Sequence, residues 1–254
     1  MTTLLARQLE TLRGRTAWIT GGRRIGRTVA SALAGLGVNL VLSYRSSREE
    51  ADAAAGEARA AGVRALAVHA DVGSRRSMAR AVEEVRREFP QIDILVNMAS
   101  VYAVKPAAEI TEADWEANIS AHVLGTFWPV QLIAPLMPPG GHIINIADAT
   151  CIDRPQRGVI PYTATKAAVA GMTRAMALEY GQQGIFVNAI APGPVLRPDD
   201  FPVGVWKRIR EHYPVRYAMT DEEAVEQFAL LVVYLCLTTM TSGHVYPLDQ
   251  GRNL

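Results

Sequence analysis

Tyr162 and Lys166 are the two residues whose types and spacing most suggest chemistry. They stand four apart in the segment YTATK at the start of a predicted helix, so both side chains lie on one face. An ammonium group near a phenol stabilises the phenolate and lowers a tyrosine pKa from about 10 toward neutrality, which suits a general acid or base. Taken alone, the pair is more typical of a half-buried Tyr beside a Lys whose amine reaches solvent.

A glycine-rich turn between the first predicted strand and the first predicted helix suits a dinucleotide. The chain reads TGGRRIG from Thr20. Glycines let backbone N–H groups approach a pyrophosphate, and the helix N-terminus adds partial positive charge, although tight turns also need glycine for steric reasons. The candidate cofactor residues in this turn are Gly21, Arg23, Arg24, Ile25 and Gly26.

The end of the second predicted strand favours NADP over NAD. NAD binders usually carry an acidic residue here, whereas NADP binders favour cations. The chain reads SYRSSR from Ser43, with no carboxylate before Glu49. We expect Tyr44 at the cofactor, and Arg45 and Ser46, with Arg23, to hold a 2′-phosphate. The alternative is a solvated polar loop.

Short apolar runs alternate with helical patterns along the chain. Continuous apolar strands followed by helices predict an α/β fold, a doubly wound parallel sheet of about seven strands with helices on both faces. No repeat or linker divides residues 1–254, so we expect a single domain. The predicted strands are Thr16–Thr20, Val38–Ser43, Val63–His69, Ile92–Asn97, His142–Ala147, Phe186–Ala191 and His244–Leu248. The predicted helices end near Leu36 or span Arg48–Ala61, Ser77–Phe89, Glu112–Leu136 and Pro161–Gln182, with two more after the sixth strand.

The composition argues against several classes of protein. The 26 Lys and Arg residues against 25 Asp and Glu give a net charge of +1, which provides no general attraction to nucleic acid or acidic membranes. The longest apolar run, Phe228–Leu237, is about half of a membrane span. Cys151 and Cys236 are too few for a metal cluster, and no signal-peptide pattern precedes them. We expect a cytoplasmic protein without a metal.

Five motifs in one order resemble the short-chain dehydrogenase/reductase family, and the resemblance runs from Arg15 to Leu254. The motifs are the glycine turn, Asp71-Val72, the segment NMAS from Asn97 to Ser100, Tyr162 with Lys166, and Val187-Asn188 followed by Pro192-Gly193. The resemblance implies a Rossmann-fold enzyme that moves hydride between a nicotinamide and a small substrate.

The resemblance also implies roles for these residues and a homotetramer built from the helices near 112–136 and 160–182 and the C-terminal tail. Tyr162 would protonate the accepting atom, and Lys166 would bind the nicotinamide ribose. The adenosine would lie against Asp71, Val72, and the main chain from Asn97 to Ala99. Pro192 and Gly193 would flank the nicotinamide.

Asp148 stands where the family usually has a catalytic Ser, a substitution that resembles pteridine reductases. The interval to Tyr162 is one residue longer than usual, so Ala149 and Thr150 are weaker candidates. An ionised carboxylate beside the phenol disfavours phenolate, which favours Tyr162 as a proton donor and reduction as the direction. The alternative is an Asp that caps its own turn.

Other departures from the family pattern concern the path of protons to Lys166 and the substrate site. His122 stands where the family has a catalytic Asn. It would either hold a water that relays protons to Lys166 or be a core histidine, and Asn118 is a weaker substitute for the Asn. The shortened glycine turn, with Arg24 reaching phosphate and substrate, also resembles pteridine reductases. The substrate would lie against Ser100, Arg24 and an aromatic slot at Tyr102. The loop Leu196–Tyr217, with Phe201, Trp206, His212 and Tyr213, would close over it.

Three functions remain open. The first is an NADPH-dependent reductase of dihydropterin or dihydrofolate-like rings, similar to pteridine reductases. The second is a carbonyl reductase of the same family that acts on a 3-oxoacyl thioester, a sugar or another ketone. The third, suggested by the loss of the usual Ser and Asn, is a non-catalytic NADP-binding sensor or scaffold.

Overall fold

Seven strands pair in parallel into one sheet in the order β3-β2-β1-β4-β5-β6-β7, which confirms the predicted doubly wound fold. The computed structural model describes residues 3–21, 23–149, 156–197, 201–211, 214–215 and 217–252. Each strand begins and ends within two residues of its prediction. The strands are β1 (Thr16–Thr20), β2 (Asn39–Tyr44), β3 (Ala65–His69), β4 (Ile94–Asn97), β5 (His142–Ile146), β6 (Phe186–Pro192) and β7 (Val245–Leu248).

Helices cover both faces of the sheet because the buried strands are apolar on both sides. In β1, Ala17 and Ile19 contact the core beneath three of the helices, whereas Trp18 between them faces the opposite core. The helices are α1 (Leu4–Glu10), α2 (Ile25–Gly35), α3 (Arg48–Ala60), α4 (Arg75–Val85), α5 (Glu112–Asn118), α6 (Gly125–Ile133), α7 (Ile160–Gly181), α8 (Val203–Glu211) and α9 (Asp221–Leu237). The first core is shared by α2, α3 and α9, and the second by α4, α6 and α7.

The predicted helical segment Glu112–Leu136 is present as one continuous helical stretch, but it is not α-helical throughout. A π-helical segment, Ile119–Leu124, lies between α5 and α6, and Ala134–Leu136 forms a 3₁₀ turn. The apolar pattern does not reveal this change of helix type because an α turn and a π turn differ by only one residue in hydrogen-bond register. Two other differences are the unpredicted α1 and the end of α4, which comes four residues earlier than expected.

The π-helical segment packs closely on the connection between β3 and α4. A Cβ atom built on Gly73 would lie 1.9 Å from Oγ of Ser120, and one on Gly125 would lie 2.8 Å from a methyl carbon of Val72. A side chain at either position would force Ser120 or Val72 to shift, and the carbonyl oxygen of Ser120 lies within 3.1 Å of both Cβ positions.

Among the described residues, one helical stretch, Glu112–Leu136, is long and apolar enough to cross a membrane by length and composition alone. About 39% of its most apolar window is buried inside the protein, and core helices pass the same test. No group of three or more His, Cys, Asp and Glu side chains is placed to hold a metal ion in the described part of the chain.

Candidate active site

A cleft of about 540 Å³ opens at the carboxyl ends of the strands, where the strand order reverses between β1 and β4. This is where open α/β sheets bind ligands, and the volume is in the usual range for a ligand site. Most of the predicted site residues line it: Gly21, Arg23, Arg24, Ile25, Gly26, Tyr44, Arg45, Ser46, Asp71, Val72, Ala99, Ser100, Tyr102, Asp148, Tyr162, Lys166, Pro192 and Gly193. Asn97 and His122 do not.

The glycine turn brings two backbone segments too close for side chains. Gly21 has a φ of 76°, and a Cβ atom on it would lie 3.0 Å from the backbone of Ala99. A Cβ atom on Gly26 would lie 2.5 Å from the carbonyl oxygen of Gly21. Both glycines therefore leave bare backbone at the cleft, which is the cradle that a pyrophosphate needs.

Arg24 adopts a backbone conformation that is unusual for a residue with a side chain. Its φ is 55°, in the region that favours glycine. Its Nη2 donates a hydrogen bond to the carbonyl oxygen of Arg197, at the start of the substrate loop. The side chain thus connects the glycine turn to that loop.

The cations expected at a 2′-phosphate are not equivalent. Arg23 forms an exposed ion pair with Glu50, with 3.5 Å between Nε and the carboxylate oxygen. Arg45 and Ser46 are exposed at the end of β2, and none of the ion pairs among the described residues includes Arg45. Arg45 therefore keeps its charge available to a ligand in the cleft.

Tyr162 and Asp148 meet at the base of the cleft. Asp148 follows the end of β5 by two residues, and Tyr162 lies in the first turn of α7. The hydroxyl of Tyr162 donates a hydrogen bond of 2.7 Å to Oδ2 of Asp148. Of the weaker candidates, Ala149 is fully buried and apolar, and Thr150 lies outside the described residues.

Lys166 lies on the same face of α7 as Tyr162, as the spacing predicts. Its Nζ donates a hydrogen bond of 2.7 Å to the carbonyl oxygen of Ile146 and is 5.8 Å from the centroid of the Tyr162 ring. Only 3% of the residue is exposed. A buried ammonium is thereby held at a fixed place beside the phenol.

His122 is a buried histidine bonded at both ring nitrogens. Its Nε2 accepts from the amide of Val101 at 3.2 Å and is 2.9 Å from the hydroxyl oxygen of Ser100, while Nδ1 is 2.8 Å from Oγ1 of Thr165. Its ring packs edge-on against that of Tyr162, with 5.4 Å between centroids.

Burial, followed by the charge of Lys166, lowers the pKa of His122 to about 3, so its ring is neutral at physiological pH. These contacts match the core-histidine interpretation, and the relay role stays a prediction. The amide of Asn118 donates to the carbonyl oxygen of Asp114 within α5.

Asp71 and Asn97 support the cleft in different ways. Oδ1 of Asp71 accepts a hydrogen bond of 3.0 Å from the amide of Gly73, which fixes the carboxylate at the cleft edge. Asn97 is buried, and its side-chain amide donates to Oδ1 of Asn145 beneath the cleft. The family resemblance assigns the main chain near Asn97 to the cofactor, and this side chain holds the backbone there.

Tyr102 forms one wall of the inner cleft. Its ring packs edge-on against that of Tyr162 with 5.0 Å between centroids, and its hydroxyl donates to Gln156 at 3.4 Å. Burial, and then the charge of Asp148, raises the pKa of Tyr102, whereas Arg252 opposes that rise. The negative charge of Asp148 and the positive charge of Arg252 therefore both act on the Tyr102 hydroxyl.

The substrate loop contributes Phe201 and Trp206 to the cleft, as predicted, while the predicted His212 and Tyr213 lie outside the described residues. Asp221 at the start of α9 anchors α8, because it accepts hydrogen bonds from the indole N–H of Trp206 at 3.0 Å and from Arg210 at 2.5 Å.

Sequence reasoning missed several polar residues that line the cleft, among them Gln156 and Arg252. Neither belongs to a motif. Arg252 follows the last strand, and only the position of β7 beside β6 brings it to the cleft.

Comparison with known proteins shows the family of the chain. The sequence profile described as short chain dehydrogenase matches residues 15–199. The 3-oxoacyl-[acyl-carrier-protein] reductase of Staphylococcus aureus is 35% identical over 183 residues, which cover 70% of this chain and 74% of that protein. The gluconate 5-dehydrogenase of Gluconobacter oxydans is 36% identical over 189 residues, 73% of each chain.

A solved structure shares the fold over nearly the whole chain. The crystal structure of a blue fluorescent protein from a metagenomic library, in complex with NADPH, superposes with a TM-score of 0.88 at 30% identity. The superposition covers 96% of this chain and 99% of that protein.

Proposed function

The chain belongs to the short-chain dehydrogenase family of oxidoreductases, and we propose that it is an NADPH-dependent reductase of dihydropterin or dihydrofolate-like rings. The observation that carries this proposal is the hydrogen bond of 2.7 Å from Tyr162 to Asp148 inside the cleft. A carboxylate in this position accepts a hydrogen bond from the phenol and disfavours the phenolate, so Tyr162 keeps its proton until a substrate arrives.

The residues of the cleft fit an NADP cofactor. Gly21 and Gly26 leave room for a pyrophosphate against bare backbone, and Arg45 with Ser46 would hold the 2′-phosphate. A protein of the same fold at 30% identity has been crystallised with NADPH, which supports this assignment. Bound NADPH supplies a hydride to the carbon of the substrate C=N bond.

Tyr162 completes the reduction. Its hydroxyl turns from Asp148 to the ring nitrogen of the substrate and donates the proton, so that the C=N bond becomes a CH–NH unit. The ammonium of Lys166 stabilises the phenolate that remains. His122, neutral and packed on the tyrosine ring, keeps that ring oriented. A flat heterocycle would lie against Tyr102, where it gains stacking and buried area.

The second candidate is a carbonyl reductase of the same family. The relatives named as 3-oxoacyl-[acyl-carrier-protein] reductase and gluconate 5-dehydrogenase support it, because their names describe ketone and alcohol chemistry. In this case Tyr162 protonates a carbonyl oxygen, and Asp148 stands in the place of the Ser that the family usually has.

NADPH oxidation in the presence of dihydrobiopterin or an acetoacetyl thioester separates the two candidates. Turnover of the pterin supports the first. Turnover of the ketone with none on any pterin would replace the pterin reductase with the carbonyl reductase. NADPH binding without turnover of either substrate would favour a non-catalytic sensor.

We also propose a cytoplasmic homotetramer. Large apolar side chains are exposed on the helical stretch Glu112–Leu136 and on α7, including Trp115, Ile119 and Leu178. Exposed apolar surface of this kind is typical of contact between subunits. Light scattering coupled to gel filtration measures the assembly directly.

A further inference from the structure

Arg252 is a cation in the cleft that no motif accounts for. It lines the cleft together with Tyr102 and Asp148, and it is partly exposed. Its charge acts on the Tyr102 hydroxyl in the direction opposite to that of Asp148. Arg252 therefore lies in the same cleft as Tyr102 and Asp148, near enough for its charge to act on the Tyr102 hydroxyl.

A tight turn after β7 carries Arg252 back toward the cleft. Gln250 and Gly251 both have left-handed backbone, with φ of 53° and 76°. Asp249 closes the turn, because its Oδ1 accepts from the amide of Gly251 at 3.0 Å and its carbonyl oxygen accepts from the amide of Arg252 at 3.1 Å. These bonds fix the direction in which the chain leaves the strand.

The same turn is fastened to the segment that would flank the nicotinamide. The amide of Gly193 donates to the carbonyl oxygen of Leu248 at 3.0 Å. A Cβ atom on Gly193 would lie 3.0 Å from Cβ of Asp249, so the two backbones are in direct contact. Arg252 is thus held by a turn that packs against the reacting end of the cleft.

The guanidinium of Arg252 is available to a ligand. None of the ion pairs among the described residues includes it, whereas Arg23 is paired with Glu50 and Arg210 with Asp221. A guanidinium in a partly enclosed cleft binds carboxylate or phosphate through two parallel hydrogen bonds.

We propose that Arg252 binds an anionic group, a carboxylate or a phosphate, that the substrate carries away from its reducible bond. This inference rests on the proposed reductase function. Asp148 repels an anion from Tyr162 and Arg252 attracts it, so the two charges orient the substrate with its neutral reducible end at Tyr162. The favoured substrate is therefore an acid and not its neutral analogue.

Two matched pairs of ligands test this inference on enzyme saturated with NADP⁺. Dihydrofolate is paired with dihydrobiopterin, and a ketogluconate with the neutral ketose fructose. Thermal-shift titrations give the apparent Kd of each ligand for wild type, for Arg252→Gln, and for Arg80→Gln as a control on the exposed surface of α4. A phosphorylated ketose serves as a further arm that distinguishes phosphate from carboxylate.

We expect one of the acids to bind about tenfold more tightly than its neutral partner, since a charge-assisted bidentate contact accounts for at least that much. In Arg252→Gln, the Kd of the acid should come to within about twofold of the Kd of its neutral partner, and the Kd of the neutral ligand should not change. In Arg80→Gln, the preference for the acid should stay as in wild type. The inference is overturned if no acid is preferred, if the preference survives in Arg252→Gln, or if no ligand binds.

Its failure is distinguishable from failure of the proposed function. If neutral substrates support NADPH oxidation and no acid is preferred, the proposed reductase function stands and the proposed role of Arg252 is removed. If acids bind through Arg252 but no substrate supports NADPH oxidation, the proposed role of Arg252 stands and the proposed reductase function is removed.

Discussion

Arg24 donates a hydrogen bond to the backbone carbonyl of Arg197, which joins the glycine turn to the substrate loop across 173 positions of the sequence. It does so from a backbone conformation that L-residues rarely adopt, with φ of 55°. The position of the loop that carries Phe201 therefore depends in part on a residue of the glycine turn.

Two substitutions separate the side chain of Arg24 from its backbone. Arg24→Ala and Arg24→Gly both remove the bond to Arg197, and both should raise the KM for substrate several-fold. Arg24→Gly should be about 1 kcal/mol more stable than Arg24→Ala, because glycine accepts the positive φ without strain. Urea unfolding measures the difference, and equal stability of the two variants would show that no strain is stored there.

Tyr162→Phe should abolish turnover while changing NADPH affinity by less than about twofold. The loss of a positioned proton donor costs about two to four orders of magnitude in rate. Fluorescence titration of NADPH and steady-state kinetics measure the two effects. Tyr234→Phe, at an exposed position of α9, is the matched control and should behave as wild type. Parallel loss of NADPH binding in Tyr162→Phe would contradict the assignment.

Asp148→Ser tests whether the carboxylate belongs to the proton path. We expect pterin reduction to fall by more than about tenfold, because a neutral Ser does not disfavour the phenolate as a carboxylate does. Reduction of a ketone, if present, should survive, since Ser is the usual residue of the family at this position. The measurement is kcat on each substrate, and unchanged pterin turnover would remove Asp148 from the path.

Arg45→Ala should weaken NADPH far more than NADH. We expect the KM for NADPH to rise by about tenfold or more and that for NADH by less than about twofold, because only NADPH carries the 2′-phosphate. Arg48→Ala, three residues further on, removes an exposed cation that is paired with Asp52 and serves as the control. Equal effects on the two cofactors would refute phosphate binding by Arg45.

Stability should fall as the pH is lowered below about 6.5. Burial, and then the charge of Arg15, lowers the pKa of His142 to about 4 in the folded protein. The unfolded value is about 6.5, so between these values the unfolded chain binds more protons, and acid favours unfolding by up to about 1.4 kcal/mol per pH unit.

Urea unfolding at a series of pH values measures the slope for wild type and for His142→Phe. The variant keeps an aromatic ring stacked on Phe186 and should show a smaller slope between pH 4 and 6.5. An identical slope would mean that His142 does not carry the effect, and His122 would be the next group to test.

The parts of the molecule that could be predicted from the sequence are those fixed by local pattern. The strands were predictable because each is a short apolar run bounded by polar residues, and buried parallel strands require that pattern. Tyr162 and Lys166 could be placed together because helical spacing alone puts them on one face. Asp148 could be placed near them because Asp148 and the helix that carries Tyr162 both follow β5.

The rest depends on contacts between distant segments. The π-helical segment Ile119–Leu124 differs from an α-helix by hydrogen-bond register, which apolar periodicity does not record. The partners of His122 come from two other parts of the chain, residues 100–101 and 162–165, so its two interpretations looked equal in the sequence. Arg252 reaches the cleft only through the turn after β7, and no spacing rule predicts that.

The close approach of Gly73 to Ser120 constrains how the sequence can change over time. A side chain at position 73 would collide with Ser120 as it now stands, 1.9 Å from its hydroxyl oxygen. Ser120→Gly would remove the hydroxyl and the Cβ atom but not the carbonyl oxygen of Ser120, which lies 3.0 Å from the same point. Gly73→Ala should therefore cost less stability after Ser120→Gly than before it, so the two substitutions are epistatic.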